Sequence, residues 1–407
     1  MTEEFTKSIE AFIGQYYISR VVQGLRDIDN RVLDEVSDKI AQRISEGRRI
    51  FSFGNGGSEA ISESFILSLE QRITPSFQFD TYSNPKLGEA TAVTGIDEVF
   101  HHRIMRSGRP GDLTLLVSAS GDSENINKVS LYCRRQSVET ISISGNGRVA
   151  KNGPTKSDYP IIIPLQDQQI IEDVTLGILY LIGEIAGNKV NGHKYDIAEL
   201  KKSYIDDFSR EARLLSARSI DLLAHDIIHA YKNGGQVRID ATDSGLLTIA
   251  AAHMQHNLKW DAFQNVEPRL SNRVSSGLPT YHFSGVGNDG GYIFNHAIEI
   301  TDNHEQGDVE VIFERQIMSL EVRTLFLAAQ RKGMKIYPII FDQKSEYIAS
   351  NLAQSILHIT GRVVNAYLLS ESNPVEFEHR LKQDLAMLRQ RSLTMEKLRA
   401  TYKPYGI

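Results

Sequence analysis

The stretch Phe51-Ser-Phe-Gly-Asn-Gly-Gly-Ser58, answered further along by Val117-Ser-Ala-Ser-Gly-Asp-Ser123, decides how this chain is read. Each is an apolar strand that ends in small residues and hydroxyls just before a helical pattern begins. Such a terminus suits a phosphate. N–H groups left unpaired at a helix start point at the anion, the positive end of the helix dipole favours it, and Gly or Ser lets its oxygens come close. Two such termini imply a phosphorylated ligand held at more than one point.

Working outward, short apolar runs alternate with longer helical patterns. Spacings of three and four predict helices within 5–48 (Ile18, Val22, Leu25, then Val32, Val36, Ile40, Ile44), ending at Glu46-Gly47. Strands are expected near 49–53, 77–81, 113–118, 139–143 and 159–163. That alternation means right-handed crossovers and a largely parallel sheet, with ligands outside the carboxyl ends of the strands, where both opening motifs fall. A polar stretch from Gly187 to Ser203 interrupts the pattern, which then starts again. Gly111-Asp-Leu-Thr-Leu-Leu-Val117 returns as Gly307-Asp-Val-Glu-Val-Ile-Phe313, an offset of 196, and Lys232–Asp240 takes the place of Glu46–Phe53. Several landmarks at nearly constant spacing indicate an internal duplication.

At 407 residues the chain exceeds the size at which single cores stop growing, so two units are expected. A net charge of -6 with both signs interspersed leaves no footprint for nucleic acid, and neither end carries a DNA-binding helix-turn-helix. The single cysteine, Cys133, has no partner for a disulfide or a metal cluster and reads as a small core residue on a helix. With no apolar signal segment and no run long enough to span a bilayer, no membrane partner and a cytoplasmic location are expected.

The Gly54-Asn-Gly-Gly-Ser58 turn, the hydroxyl cluster Ser118-Ala-Ser-Gly-Asp-Ser-Glu-Asn125 after Gly111-Asp112, and the βαβ spacing around them resemble a sugar isomerase (SIS) domain, nearest to the phosphoheptose isomerases. The second half is a weaker match. The resemblance implies an α/β fold of two tandem SIS-type domains, each a parallel sheet between helical layers, packed as an internal pseudo-dimer. The expected divisions are 1–190, a linker over 191–207, a degenerate second domain over 208–372 and a helical tail over 373–407. It also implies that Ser118, Ser120 and Ser123 hold the phosphate while Asn55, Gly56 and Ser58 meet the open-chain sugar. Asp289, in Gly285-Val-Gly-Asn-Asp289, matches a segment whose aspartate faces the sugar.

The departures matter equally. The family's metal-binding His and Glu on the helix after the first turn, and a later His, correspond here to Ser64, Ser68 and approximately Leu179, none of them a zinc ligand. No metal and no other cofactor are therefore expected. In the second half Glu314 and Gln316 replace phosphate serines, and a carboxylate there repels a phosphate. Aldose–ketose chemistry without a metal needs a base that shuttles a proton between adjacent carbons. Glu59 and Glu63 lie four apart on one helical face; Glu63 is the first choice, because metal-free members of the family place a glutamate near this point. Glu172 and Asp173 open the last helix of the first half, either as site residues or as first-turn acids. His253 and His256 lie three apart where a site helix of the second half belongs, with His253 a candidate for ring opening or sugar contact. His225 and His229 read as core-edge residues, and the His101-His102 pair as a subunit contact. The function expected is a sugar-phosphate aldose–ketose isomerase, phosphoheptose isomerase-like, working as a homo-oligomer (dimer) on a small-molecule sugar phosphate. The alternatives are a non-catalytic sugar-phosphate-binding regulator or scaffold, and an amino-sugar-phosphate deaminase or lyase.

Overall fold

The computed structural model describes residues 16–73, 79–81, 95, 97–145, 147, 149, 155–214, 217–241, 246–247, 249–251, 274–275, 306–314, 327, 330–341 and 345–372. His253, His256, Asp289, Gln316, the expected helical tail and the helix before residue 16 lie outside them, as does the side chain of Glu314.

The first unit begins with helices α1 (16–27) and α2 (Asn30–Ser45). Asp29 caps α2 by accepting from the Arg31 N–H, and Leu33, Val36, Ile40 and Ile44 form its buried stripe. There follow β1 (Ile50–Phe53), α3 (Gly57–Arg72), β2 (Phe79–Thr81), α4 (Val99–Ser107), β3 (Leu113–Ser118), α5 (Glu124–Arg135), β4 (Glu139–Ser144), β5 (Tyr159–Ile162) and α6 (Gln168–Asn191). All five strands are parallel in the order β2-β1-β3-β4-β5. Strands β1 and β3 are buried along their whole length, the signature of a sheet covered on both faces. Helices α2, α3 and α6 pack together, while α4 and α5 pair with each other. Helix α6 is apolar nearly all round because helices enclose it on both sides. Among the described residues no helix is long and apolar enough to cross a membrane.

Residues 191–207, expected to link the halves, carry the start of α7 (Ile197–Leu214), whose Tyr204, Ile205 and Phe208 are buried. The polar composition there belongs to the exposed side of an amphipathic helix. After it come α8 (Ala217–Asn233), β6 (Val237–Ala241), β7 (Val274–Ser275), β8 (Val309–Glu314), β9 (Lys335–Ile340) and α9 (Glu346–Ser372). Their parallel order β7-β6-β8-β9 repeats β2-β1-β3-β4.

The repeat reaches hydrogen bonds. Gly111 and Gly307 both take a positive φ, +89° and +99°, that a side chain would resist. The aspartates after them act alike: Asp112 Oδ1 accepts from the Arg49 N–H at 3.1 Å and Asp308 Oδ1 from the Gln236 N–H at 2.8 Å. The next residues also match, with Leu113 N–H donating to Arg49 O and Val309 N–H to Gln236 O. Each Gly-Asp therefore pins the start of a central strand to the strand beside it.

Candidate functional site

The two opening motifs meet at the carboxyl edge of the first sheet. Strands β1 and β3 are paired neighbours, so the turns that leave them are adjacent. Asn55 and Asn125 lock them with two reciprocal amide hydrogen bonds, Asn55 Nδ2 to Asn125 Oδ1 at 3.0 Å and Asn125 Nδ2 to Asn55 Oδ1 at 2.8 Å. Asn55, expected at the sugar, makes this fastening with Asn125 of the hydroxyl motif as an equal partner. Gly56 takes φ +54° immediately before α3, and the Ser58 N–H closes the turn onto Asn55 O at 3.0 Å.

In the serine loop the Ser118 hydroxyl accepts from the Gly121 N–H at 3.1 Å and lies 3.2 Å from the Ser123 hydroxyl at the start of α5. Ser123 occupies the N-cap without making a side-chain cap bond, so its hydroxyl stays on the loop. Ser120 is exposed and accepts from the Asp122 N–H at 3.1 Å. The loop is braced from behind: a Cβ on Gly147 would stand 2.3 Å from Ser120 O and from the Gly121 carbonyl carbon. Gly145 lies against Ala119 O, and a Cβ there would also meet Ile171 Cδ1 at 3.3 Å. The first turns of α6 therefore pack on the base of the serine loop. Asp122 and Glu124 are exposed beside it, so the hydroxyls share their surroundings with two carboxylates.

Two further carboxylates stand at the start of α3. Glu59 is only 5% exposed, and its Oε1 has no hydrogen-bond partner among the described residues. Burial, together with the charge of Glu63, pushes it from 4.5 up to about 8. Glu63 is half-buried, and burial pushes it up to about 7. Near neutral pH one carboxyl of the pair keeps its proton while the other is poised to lose it, an arrangement suited to an acid and a base.

The positions to which the resemblance assigns metal ligands are packed shut. Ser64 and Ser68 are 3% and 0% exposed, and Leu179 is 0% exposed. The Ser68 hydroxyl donates to Phe65 O at 2.8 Å. Two buried hydroxyls, that of Ser68 bonded within its own helix and that of Ser64 facing Tyr180, and a leucine do not fit zinc, which takes Cys, His or carboxylate donors.

Glu172 and Asp173 separate in function. Asp173 is wholly buried and accepts from four donors: Tyr17 Oη (2.8 Å), Gln354 Nε2 (2.8 Å), Ser355 Oγ (2.7 Å) and His358 Nδ1 (2.9 Å). Three of the four come from α9 of the second unit. Burial alone would lower the His358 imidazole, but the Asp173 carboxylate beside it outweighs burial, Glu172 assists, and the value is raised. Glu172 Oε2 lies 3.6 Å from His358 Nε2, an ion-pair distance too long for a hydrogen bond. Arg362 reaches Asp167 and Gln169 at the start of α6, at 2.5 and 2.6 Å. His358 and Arg362 escaped the sequence reading. Their one signal was a histidine in an otherwise apolar helical run.

Other expectations fall away from the site. His225 and His229, expected at the core edge, are exposed on α8, which buries Leu223, Ile227 and Ile228 instead. His101 bonds Glu98 at 3.0 Å and stacks edge-on against Tyr132 on the α4–α5 face.

Residues 15–145 match the family model described as SIS domain. A phosphoheptose isomerase from Geotalea daltonii is 23% identical over an alignment of 171 residues that covers 39% of this chain and 84% of that protein. Solved SIS-fold structures extend the likeness to both units. The C-terminal domain of glucosamine-fructose-6-phosphate aminotransferase from Francisella tularensis has a TM-score of 0.53 at 12% identity, covering 90% of this chain and 98% of its own. A glucosamine-6-phosphate deaminase from Thermotoga maritima has a TM-score of 0.51 at 11% identity, covering 86% and 94%. The chain thus holds two SIS-type α/β units, the first carrying the family's sequence motifs.

Proposed function

We propose that this chain is a metal-independent sugar-phosphate aldose–ketose isomerase of the cytoplasm, working on a substrate of about six or seven carbons and assembling as a homodimer. The observation that carries the reading is the junction of the serine loop, through Asn55 and Asn125, to a helix that begins with two carboxyls raised to about 8 and about 7. The phosphate sits on Ser118, Ser120, Ser123 and the start of α5. Glu63, as carboxylate, takes the proton from the carbon beside the carbonyl while Glu59, as acid, gives its proton to the carbonyl oxygen. The enediol forms, and the reverse transfers deliver one proton to the neighbouring carbon and recover the other from the second oxygen. Nothing is oxidised overall, and both carboxyls return to their starting states. Glu172 contacts the sugar, and the sequence assigns His253 and Asp289, outside the described residues, to the same ligand.

Two experiments test it. Ser120→Ala with Ser123→Ala weakens binding of fructose 6-phosphate or sedoheptulose 7-phosphate in calorimetry, and unchanged affinity removes the phosphate assignment. Glu63→Gln abolishes solvent deuterium incorporation into the sugar while leaving binding intact; persistent incorporation removes Glu63 as the base. A second reading, a non-catalytic sugar-phosphate sensor or scaffold, draws on the closed Ser64, Ser68 and Leu179 positions. A third, an amino-sugar-phosphate deaminase or lyase, would use the same proton transfers. Proton-exchange NMR with a panel of sugar and amino-sugar phosphates separates the three.

A further inference from the structure

Helices α6 and α9 run antiparallel between the units, and their contacts obey an approximate twofold. Both helices open at corresponding points, Gln168 and Glu346, an offset of 178 that maps Glu172 to Ser350, Asp173 to Asn351 and Tyr180 to His358. Tyr17 and Tyr204 correspond at the offset of 187 that relates Arg49 to Gln236. The contacts follow the same mapping. At one end Tyr17 bonds Asp173, and His358 faces Glu172 at 3.6 Å. At the other, Asn351 Nδ2 donates to Tyr204 Oη at 2.9 Å and Tyr180 Oη donates to Ser350 Oγ at 3.0 Å.

The two ends share a geometry and differ in charge. The end beside the first unit's serine loop is ionic: Asp173, His358, Glu172 and, over the Tyr17 ring at 4.9 Å, Arg362. The end beside the second unit, whose strand ends in Glu314 where a phosphate serine is expected, sets the neutral Asn351, Ser350 and Tyr180 in the places of Asp173, Glu172 and His358, and carries its charge elsewhere, on Arg72 over the Tyr347 ring at 3.5 Å and on Glu184 and Glu346. Buried charge is costly, and packing does not require it at these three places, since the other end builds the same contacts there with neutral groups. Ile171, next to Glu172, lies beside Gly145, which abuts Ala119 between Ser118 and Ser120. Glu172 follows it with its side chain 15% exposed, whereas Asp173 and His358 are fully buried.

We propose that His358 of the second unit, anchored by Asp173 and Tyr17, is a positioning residue for Glu172, so that the first unit's sugar subsite is completed across the domain interface. His358 holds Glu172 as an ionised acceptor for the hydroxyls of the sugar chain, while the serine loop holds the phosphate independently. This rests on the sugar-phosphate reading for its ligand, although the coupling of the two residues does not.

Calorimetry on the full chain uses two probes, inorganic phosphate and sedoheptulose 7-phosphate. Glu172→Gln and His358→Gln each weaken sugar-phosphate binding about tenfold or more, the scale of a lost charge-assisted hydrogen bond, and leave inorganic phosphate binding unchanged. Equal loss for both probes marks a structural role and overturns the proposal, as does unchanged sugar-phosphate affinity. A second measurement follows the 15N-imidazole signals of His358, faced by Asp173, Glu172, Tyr17 and Arg362, in wild type and in Glu172→Gln. The variant, changed at a partly exposed side chain, lowers the His358 titration midpoint; an unmoved midpoint overturns the proposal. Should the wild type bind neither probe, the phosphate reading fails, and the midpoint still decides the coupling of His358 to Glu172.

Discussion

Replacing Glu59 by glutamine separates the cost of the site from its use. Glu59 is 5% exposed, lacks a partner on Oε1 among the described residues, and stands one turn from a second carboxyl. A carboxyl whose folded value is raised keeps its proton in the fold after the unfolded chain has given it up. Its contribution to stability is therefore full below about pH 4.5, declines as pH rises, and is lost by about pH 8. At 1.36 kcal/mol per unit, the displacement corresponds to roughly 4 to 5 kcal/mol between the two limits. Glutamine has nearly the same shape and never ionises. Urea unfolding at pH 5, 7 and 9 should give nearly equal stabilities for the two proteins at pH 5 and a variant more stable by several kcal/mol at pH 9. On the proposed mechanism the same pair of carboxyls shapes catalysis. Deuterium exchange by the wild type rises as Glu63 ionises near pH 7 and falls as Glu59 loses its proton near pH 8; the variant, slower throughout, loses the fall. Parallel stability curves from pH 5 to 9 would refute the argument, because a well-solvated Glu59 that ionises in the fold as it does in the unfolded chain leaves nothing to relieve.

Three further outcomes follow from the geometry. Gly147→Ala puts a Cβ 2.3 Å from backbone atoms of Ser120 and Gly121, so the serine loop must move; a loss of about 1–3 kcal/mol in stability and weaker phosphate binding are expected, and wild-type calorimetry would contradict the brace. Cys133, buried on α5 with its thiol pushed up to about 12 by burial, stays unreactive toward a thiol reagent at pH 7 until the protein unfolds; stoichiometric labelling of the native chain would place it elsewhere. Asp173→Asn or His358→Tyr alone destabilises by about 3–5 kcal/mol, whereas the double variant, which copies Asn351 and Tyr180 of the other end, recovers most of it in thermal unfolding; additive losses would show that the two ends are not equivalent.

The strands were legible because a sheet buried on both faces leaves nearly unbroken apolar runs, and those runs bracket β1, β3, β4 and β5 to within a residue or so. The duplication was legible because a Gly at positive φ followed by an Asp that caps a neighbouring strand is a local requirement, met twice by Gly111-Asp112 and Gly307-Asp308. The serine loop was legible for the same reason. The interdomain network was not. Asp173 and His358 stand 185 residues apart, each inside an apolar helix, and no local period tells a histidine that pairs with a distant carboxylate from one that fills a core. His225 and His229 failed in the other direction: spacing of four marks a helical face but not which face is wet.

In a homodimer of single SIS-type chains, a residue placed at one end of the central helix pair is placed at the other end too. An ionic cluster that serves one ligand site would then be carried twice, at twice the cost of burial. Joining the copies in one chain removes that constraint. The equivalence of Asp173 with Asn351, and of His358 with Tyr180, is what such release looks like: the same hydrogen-bonded shape is built around an acid–imidazole pair at one end and around neutral side chains in those places at the other. Tyr17 and Tyr204 keep the phenol at both ends, because a hydroxyl can donate to a carboxylate or accept from an amide without changing its place. The shared shape joins the two units, and on the proposed function the broken symmetry at these positions lets them do different work.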